Sequence, residues 1–309
     1  MFLENSKQHF IISCPRSGTT WLSKMLNTHK NIFCVERRLF GDYADFVFDE
    51  GIETPRLRIT LDKYIKSVLL HHGLPKSHEF NLMKSFLSAI AKEERKFSGS
   101  KISIDKVTPY LNTSNDVLNQ LSRFFPKSKI IFLVRDGRDV LTSGVFHWFN
   151  KKLEDKSLNK FEKIRISSFQ DNQEFKSRRF FQDKEIVQWA NHWVDVMKII
   201  PKAALSHDIK IVYYKDLLKD TKKEISEIFD FLEIRKSNHF IDECVKAGSF
   251  KIMSNGRERG TEQFNNHIRK GVNDDWRNYF TYEDSKLFND IAGEMLLKYN
   301  FIKNLNWYN

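Results

Sequence analysis

The chain has 309 residues, a net charge of +11 and a pI of about 9.4. This length supports a packed core, and three scattered cysteines predict neither a disulfide framework nor a metal site. No leader pattern is visible and no apolar run approaches about 18 residues, so we expect a cytoplasmic protein without a membrane span. The positive charge favours an anionic ligand, but no nucleic-acid-binding motif accompanies it, so we expect no nucleic-acid partner.

Short apolar runs alternate with helical patterns along the chain, which predicts an α/β fold with a central, mostly parallel sheet flanked by helices. The predicted strands are Phe10–Ser13, Lys101–Ile104, Lys129–Val134 and Lys210–Tyr214. The predicted helices are Thr19–Thr28, Ser114–Phe125, Asp139–Phe149, Ile186–Pro201 and Lys222–Phe231. We expect a single domain over 1–309, with helical or loop excursions at about 36–99 and 150–184 that shape a substrate pocket.

The first predicted strand runs into CPRSGTTW, residues 14–21, and then into a helix. Gly18 permits a tight turn, and the first N–H groups of a helix bind phosphate or sulfate well. Arg16 adds a planar fork suited to an oxyanion. The segment is not a Walker A motif, because that motif requires a Lys at the position of Thr19. The pattern therefore predicts a phosphate-binding loop of another kind, with an ordinary strand–turn–helix as the alternative.

Two later segments also follow the pattern of an anion site. Arg135 ends the strand Lys129–Val134, and Ser143 lies in the helix that follows, so both could reach one phosphate. A salt-bridged turn is the alternative, with Arg135 or Arg138 paired to Asp136 or Asp139. Near the C-terminus, Arg269, Lys270 and Gly271 form either an anion clamp or a plain basic loop.

These segments and two more resemble, in order, the sulfotransferase family that uses 3′-phosphoadenosine 5′-phosphosulfate (PAPS). The matching fragments are PRSGTTW at Pro15–Trp21, FLVRDGRDVLTSGVFHW at Phe132–Trp148, VYYKDLLKD at Val212–Asp220, GSFKIM at Gly248–Met253 and RKGVNDDWRNYF at Arg269–Phe280. The resemblance implies a P-loop-NTPase-like sulfotransferase fold, PAPS as co-substrate and no metal. It implies donor contacts from Arg16, Ser17, Gly18, Thr19, Thr20, Trp21, Arg135, Ser143, Tyr214, Ser249, Phe250, Arg269, Lys270 and Gly271.

The segment IDKVTPYL is similar to the Lys-Ser/Thr-Pro-x-Tyr pattern of carbohydrate-type sulfotransferases. The resemblance implies that Lys106 approaches the transferring group, with Arg16 as the other catalytic cation. The small-molecule branch carries a His in a Lys-Thr-His-x-Pro segment, and Val107 occupies the corresponding place here. Glu36 then becomes the candidate general base, although an ion pair with the flanking Arg37 or Arg38 also fits. The remaining candidate bases are His71, His72 and His147.

The sequence leaves the acceptor open among a sugar, a glycolipid and a small-molecule alcohol or phenol, and it leaves a homo-oligomer open as well. Two other functions compete with sulfuryl transfer. A P-loop nucleotide or small-molecule kinase would use Asp136 as its Walker B carboxylate, but this chain has no Walker A Lys. A non-enzymatic basic module would bind acidic polymers with strong salt dependence.

Overall fold

The structure is a computed structural model that describes residues 7–37, 40, 65, 67, 71–73, 75–154, 156–170, 179–263 and 268–308. A five-stranded sheet is formed by β1 (Gln8–Ile12), β2 (Ile32–Val35), β3 (Ile102–Val107), β4 (Ile130–Val134) and β5 (Ile209–Tyr213). All pairings are parallel and the strand order is β2-β3-β1-β4-β5. Parallel strands need crossover connections, and helices supply them here.

Helices cover both faces of this sheet. The described helices are α1 (Thr19–Leu26), α2 (Lys76–Ser98), α3 (Ser114–Phe124), α4 (Gly137–Glu154), α5 (Lys160–Gln170), α6 (Asp183–Ala203), α7 (Tyr214–Lys219), α8 (Thr221–Phe231), α9 (Asn238–Ala247), α10 (Phe250–Met253) and α11 (Tyr282–Lys298), with a 3₁₀ helix at Asp275–Asn278. Within the ranges described, no helix combines the length and apolarity needed to cross a membrane.

The alternation of side chains along the strands divides the core into two apolar clusters. Phe10 and Ile12 of β1 point into one cluster, where they join α3, α4 and α6. Ile11 points to the opposite face and packs with α1, α8 and α9. A strand that is apolar on both faces can be stable only between two helical layers. This arrangement confirms the predicted α/β class with a parallel sheet flanked by helices.

The predicted helices and the four predicted strands are all present, with ends shifted by a few residues. β2 was not among the predicted strands, because its four residues form too short an apolar run. β3 extends to Val107, so Lys106 lies within the strand and not beyond it as the sequence suggested. About half of the expected excursion at 36–99 lies outside the described residues, and the described part includes α2 at its end. Part of the excursion at 150–184 is helical, as the end of α4, as α5 and as the start of α6.

Candidate active site

A cavity of about 440 Å³ opens at the carboxyl ends of the strands. A cavity-lining residue directly follows β2, β3, β4 and β5, and Pro15 lines the cavity three residues after β1, because the carboxyl ends of parallel strands meet at one edge of the sheet. The predicted site residues that line the cavity are Arg16, Gly18, Thr19, Thr20, Trp21, Glu36, Lys106, Arg135, Ser143, Tyr214, Phe250, Arg269, Lys270 and Gly271. Ser17 and Ser249 are the predicted contacts that do not line it.

The loop between β1 and α1 has the shape of an anion-binding turn. Gly18 has a φ of 97°, and a Cβ added there would lie 2.7 Å from a ring carbon of Tyr214. Glycine is therefore required for both its backbone conformation and its lack of a side chain. Next to it, Ser17 is fully buried, and its hydroxyl has no hydrogen-bond partner in the part of the chain described. A buried orphan hydroxyl beside a helix N-terminus fits a loop that binds an oxyanion.

Three guanidinium groups, those of Arg16, Arg135 and Arg269, form an arginine cluster in the cavity. Arg135 Nη1 donates to the Arg16 carbonyl at 3.1 Å, and Arg16 Nε donates to Ser143 Oγ at 3.4 Å. Burial, together with the positive charges of Arg135 and Arg269, lowers the pKa of Arg16 to about 10. The group stays protonated at neutral pH, and the mutual repulsion of the cluster makes a polyanion a favourable ligand.

In the segment after β4, one arginine forms a salt bridge within the turn and another lines the cavity. Arg138 forms the salt bridge of the turn, with two hydrogen bonds to the Asp136 carboxylate at 2.9 and 2.6 Å. Its guanidinium contacts the rings of Trp276 and Trp307, at 4.0 and 4.4 Å from their centroids. Arg135 remains in the cavity, where it stacks on Tyr214 at 4.5 Å. Asp136 is thus buried against Arg138 and does not line the cavity.

Asp139, which we did not predict as a site residue, connects this segment to the late loop at residues 269–276. Its carboxylate accepts the backbone N–H groups of Asp274 at 2.9 Å and Trp276 at 3.1 Å. The same carboxylate lies 3.9 Å from Arg135 Nε. Burial raises the pKa of Asp139 to about 6. Asp139 therefore fixes the late loop beside Arg135.

The cations of the late loop are balanced by acids. Arg269 pairs with Glu262 and Asp275, and Lys270 Nζ lies 3.0 Å from Asp275 and 3.1 Å from Glu262. Gly271 has a φ of 67°, and a Cβ there would lie 2.4 Å from a ring carbon of Phe250. The loop thus combines a charged network with a backbone that approaches an aromatic ring closely.

The aromatic side chains proposed for the adenine lie around the same loops. Trp21 Nε1 donates to the Gly248 carbonyl at 2.6 Å, and the Trp21 ring meets Tyr214 edge-on at 5.6 Å. Phe250 is buried against Gly271. The Ser249 hydroxyl does not face the cavity. It caps α10 by accepting a hydrogen bond from the Ile252 N–H at 3.4 Å. A cap is a common use of serine that sequence alone does not separate from a ligand contact.

The two candidate catalytic groups, Lys106 and Glu36, are in direct contact. Lys106 Nζ lies 2.6 Å from a Glu36 carboxylate oxygen and also donates to Thr20 Oγ1 at 3.4 Å. Glu36 is therefore ion-paired as one alternative held, but the partner is Lys106. Arg37 binds Glu94 and Asp105 instead, and Arg38 lies outside the described residues.

Comparison with known proteins identifies the family. The family model of the sulfotransferase domain matches residues 6–300. The chain belongs to the sulfotransferase family. Sulfotransferase 2A6 of Mus musculus is 28% identical over 213 residues, which cover 65% of this chain and 68% of the mouse protein. A 3-beta-hydroxysteroid sulfotransferase of Cavia porcellus is 27% identical over 215 residues, again 65% of this chain and 68% of that protein.

Solved sulfotransferase structures share the fold of this chain. Mouse SULT7A1, crystallised with PAP (3′,5′-ADP), superposes with a TM-score of 0.54 at 17% identity. The superposition covers 98% of this chain and 88% of the mouse chain. The sulfotransferase domain from the curacin biosynthetic pathway gives a TM-score of 0.52 at 17% identity, covering 93% of this chain and 96% of that one. The predicted P-loop-like sulfotransferase fold is thereby confirmed.

The cavity of this sulfotransferase also includes a region with aromatic walls, which we call the acceptor chamber after the role that we propose for it. Its walls come from the segment after β3, from α4 and from α6. The residues are Thr108, Tyr110, Leu111, His147, Trp148, Lys151, Gln188, Trp189 and His192. Val107, at the position compared with the His of the small-molecule branch, is buried in the core, whereas Thr108 is the next residue after Lys106 that reaches the cavity. Side chains alternate along a strand, so the cavity-facing position is two residues from Lys106.

The three histidines considered as candidate bases differ in position. His147 lines the chamber, whereas His71 and His72 are exposed and lie away from it. His192, which we did not predict, also lines the chamber, and it lies within hydrogen-bond distance of the Pro109 carbonyl, with Nε2 at 2.7 Å. Burial lowers the pKa of His192, so the ring is neutral, and its Nε2–H donates to that carbonyl. In the sequence, His192 has the spacing of an ordinary core residue of α6.

Proposed function

We propose that this sulfotransferase transfers the sulfuryl group of PAPS to an acceptor hydroxyl, giving a sulfate ester and 3′,5′-ADP (PAP). The observation that carries the proposal is that two anion-binding segments, the loop at Arg16–Thr20 and the pair Arg135 and Ser143, lie in one cavity. PAPS has anionic groups at both ends of an adenosine, and it therefore needs two such segments. The mouse SULT7A1 structure, which shares the fold, is a complex with PAP.

The residues present fit this donor. The orphan Ser17 hydroxyl and the first N–H groups of α1 would bind the 5′ end, together with Arg16. Arg135, whose buried Nε has no hydrogen-bond partner among the described residues, would bind the 3′-phosphate with Ser143. The late loop would lie along the nucleotide, and the absence of a side chain at Gly271 lets the Phe250 ring pack directly against this loop.

The chemistry follows from the charges around Lys106. When bound, PAPS supplies an activated sulfuryl group. Arg16 and Lys106 stabilise the negative charge that develops during transfer, which is the main contribution a protein makes to such reactions. Glu36 accepts the proton of the acceptor hydroxyl. The contact with Lys106 holds the Glu36 carboxylate in the cavity, where it would face the acceptor hydroxyl.

Two residues argue against the kinase alternative. Thr19 replaces the Walker A Lys, and Asp136, the candidate Walker B carboxylate, is buried in its pair with Arg138. Family membership favours sulfuryl transfer over binding of acidic polymers. For the acceptor, the aromatic walls of the chamber and the names of the hydroxysteroid relatives support a ring-containing alcohol or phenol in preference to a sugar.

Calorimetry with PAP and 5′-AMP tests the donor assignment. PAP should bind more tightly, because only PAP carries the 3′-phosphate. Arg135→Ala should weaken PAP binding by roughly 10- to 100-fold, the value of a charged hydrogen bond, and should leave 5′-AMP nearly unaffected. Arg123→Ala is the matched control, since Arg123 is exposed on α3 and distant from the cavity. Equal affinity for the two nucleotides would contradict the proposal.

Turnover of Glu36→Gln tests the base. The variant should lose about 100-fold or more in kcat, in line with the contribution of general bases, while its PAP affinity stays near that of the wild type. Lys106→Ala should also lose turnover, because it removes the cation. A Glu36→Gln enzyme with normal kcat would remove Glu36 from the mechanism.

A further inference from the structure

The two candidate catalytic groups each have a neighbour in the chain that points the other way. Glu36 and Lys106 line the cavity of the candidate active site. Arg37 and Asp105, the residues next to them in the chain, line a separate cavity of about 10 Å³ within the core. Side chains alternate along extended backbone, so the two pairs lie on opposite faces of the sheet. The core face therefore carries an arginine and a carboxylate behind the proposed base.

Arg37 and Asp105 form a buried ion pair with two contacts. The Asp105 carboxylate accepts the backbone N–H of Arg37 at 3.0 Å, and it lies 3.6 Å from the Arg37 guanidinium. The guanidinium also binds Glu94 of α2, to which Nε donates at 2.6 Å. The side chains of Asp105 and Arg37 are only 2% and 6% exposed. The pair is thus held between a strand of the sheet and a helix that covers it.

Stability alone does not account for this pair. Phe10, Leu87 and Phe125 line the same small cavity, so both charges have lost their water in largely apolar surroundings. The cost of such desolvation is comparable to the attraction between the charges, and apolar side chains of similar volume often replace a buried pair without loss of stability. The contact does, however, fix the backbone at Arg37, the residue after Glu36.

This contact holds a segment that the strand pairing does not hold. The ladder between β2 and β3 ends at the pair Val35 and Asp105, so Glu36 lies one residue beyond the last paired position. Asp105 belongs to β3 and is fixed by the sheet. Its carboxylate binds the N–H of Arg37 just past the point where the ladder stops. The backbone is therefore anchored on both sides of Glu36.

We propose that Asp105 is a positioning residue for sulfuryl transfer, which holds the Glu36 carboxylate toward the acceptor hydroxyl by binding Arg37. The inference rests on the proposed function, since Glu36 is the base only in that reaction. Asp105 lies on the core face and does not itself line the active-site cavity. Its effect comes from geometry, because a displacement of about 1 Å at a reacting group can lower a rate by roughly 100-fold.

A double-mutant cycle on kcat tests the proposal. Asp105→Asn removes the charge that holds the Arg37 guanidinium, and it should lower kcat by about 10-fold or more while PAP affinity stays near that of the wild type. In a Glu36→Gln background, the same change should have little further effect on kcat, because the base that Asp105 positions is already absent. A purely structural defect would instead lower kcat by the same factor in both backgrounds.

Asp136→Asn is the matched control. The Asp136 carboxylate also accepts the backbone N–H of its arginine partner, Arg138, at 2.9 Å and pairs with that guanidinium in the core. This pair follows β4, however, and β1 separates β4 from β3. Any loss of kcat in Asp136→Asn should therefore be the same with and without Glu36→Gln. If Asp105→Asn behaved like this control, the role of Asp105 would be wrong. Normal kcat in Glu36→Gln itself would contradict the proposed base as well.

A second variant separates positioning from folding. Arg37→Met combined with Asp105→Leu replaces the whole ion pair by apolar side chains, which buried sites of this kind often tolerate. This protein should remain folded in urea denaturation and should still bind PAP, yet its kcat should fall at least as far as that of Asp105→Asn. A folded double variant with normal kcat would overturn the proposal, because Glu36 would then be oriented without the pair.

Discussion

Replacement of Gly18 by alanine isolates the close contact on which the phosphate-binding loop depends. A residue other than glycine at a φ of 97° costs roughly 1–2 kcal/mol. The added Cβ would also meet Tyr214 at 2.7 Å, and overpacking of this kind costs about 1–3 kcal/mol. Tyr214 is buried between Arg135 and Trp21, so it can move only by displacing part of the donor site. The total expected loss of stability is about 2–5 kcal/mol.

The chain supplies a control that separates the two costs. Gly256 has a φ of 101°, but a Cβ there would meet nothing within 4 Å. Urea denaturation should give roughly 1–2 kcal/mol for Gly256→Ala and a larger loss for Gly18→Ala. Only Gly18→Ala should weaken PAP binding, and adding Tyr214→Ala to it should cost less than the sum of the single changes. Equal losses from the two glycine substitutions would refute the collision.

Three further substitutions test the network around the site and the core. Asp139→Asn leaves one of the N–H groups of Asp274 and Trp276 without its acceptor, so it should cost about 1–3 kcal/mol in urea denaturation. It should also weaken the binding of PAP more than that of 5′-AMP, and unchanged selectivity would contradict its link to Arg135. Arg138→Lys removes the bidentate pair with Asp136, so the free energy of unfolding in urea should fall by about 2–3 kcal/mol. An unchanged urea midpoint would show that the pair contributes little to stability. Burial lowers the pKa of His9 to about 4, so the unfolded chain binds a proton there between pH 6.5 and 4 while the folded chain does not. Stability should therefore fall as the pH falls through this window, by up to roughly 3 kcal/mol relative to His9→Gln, and parallel pH curves for the two proteins would contradict this.

Much of the fold could be predicted from local patterns. The strands of a covered parallel sheet are apolar on both faces, so Ile130–Val134 is visible as a continuous apolar run. The segments proposed to bind anions follow such runs, and the structure places residues of each of them in one cavity. The glycines also helped to locate these segments. Gly18 and Gly271 have positive φ angles and lie so close to an aromatic ring that a larger residue would not fit.

The remaining features depend on which distant segments meet. Nothing in the spacing of Asp139 shows that it accepts N–H groups more than 130 residues away, at Asp274 and Trp276. Glu36 and Lys106 come together because β2 and β3 are neighbours, and β2 was too short to be recognised as a strand. His192 looks like a core residue in the sequence of α6, and only the approach of α6 to Pro109 brings it into the chamber.

A crystal structure of the enzyme with PAP would test most directly whether one cavity holds both ends of the donor. The 5′-phosphate should lie on the loop Ser17–Thr20 with Arg16, and the 3′-phosphate should contact Arg135 and Ser143. Lys106 should lie at the open side of the 5′-phosphate, facing the acceptor chamber. A nucleotide bound elsewhere, or held in this cavity at one end only with the other phosphate in solvent, would contradict the account.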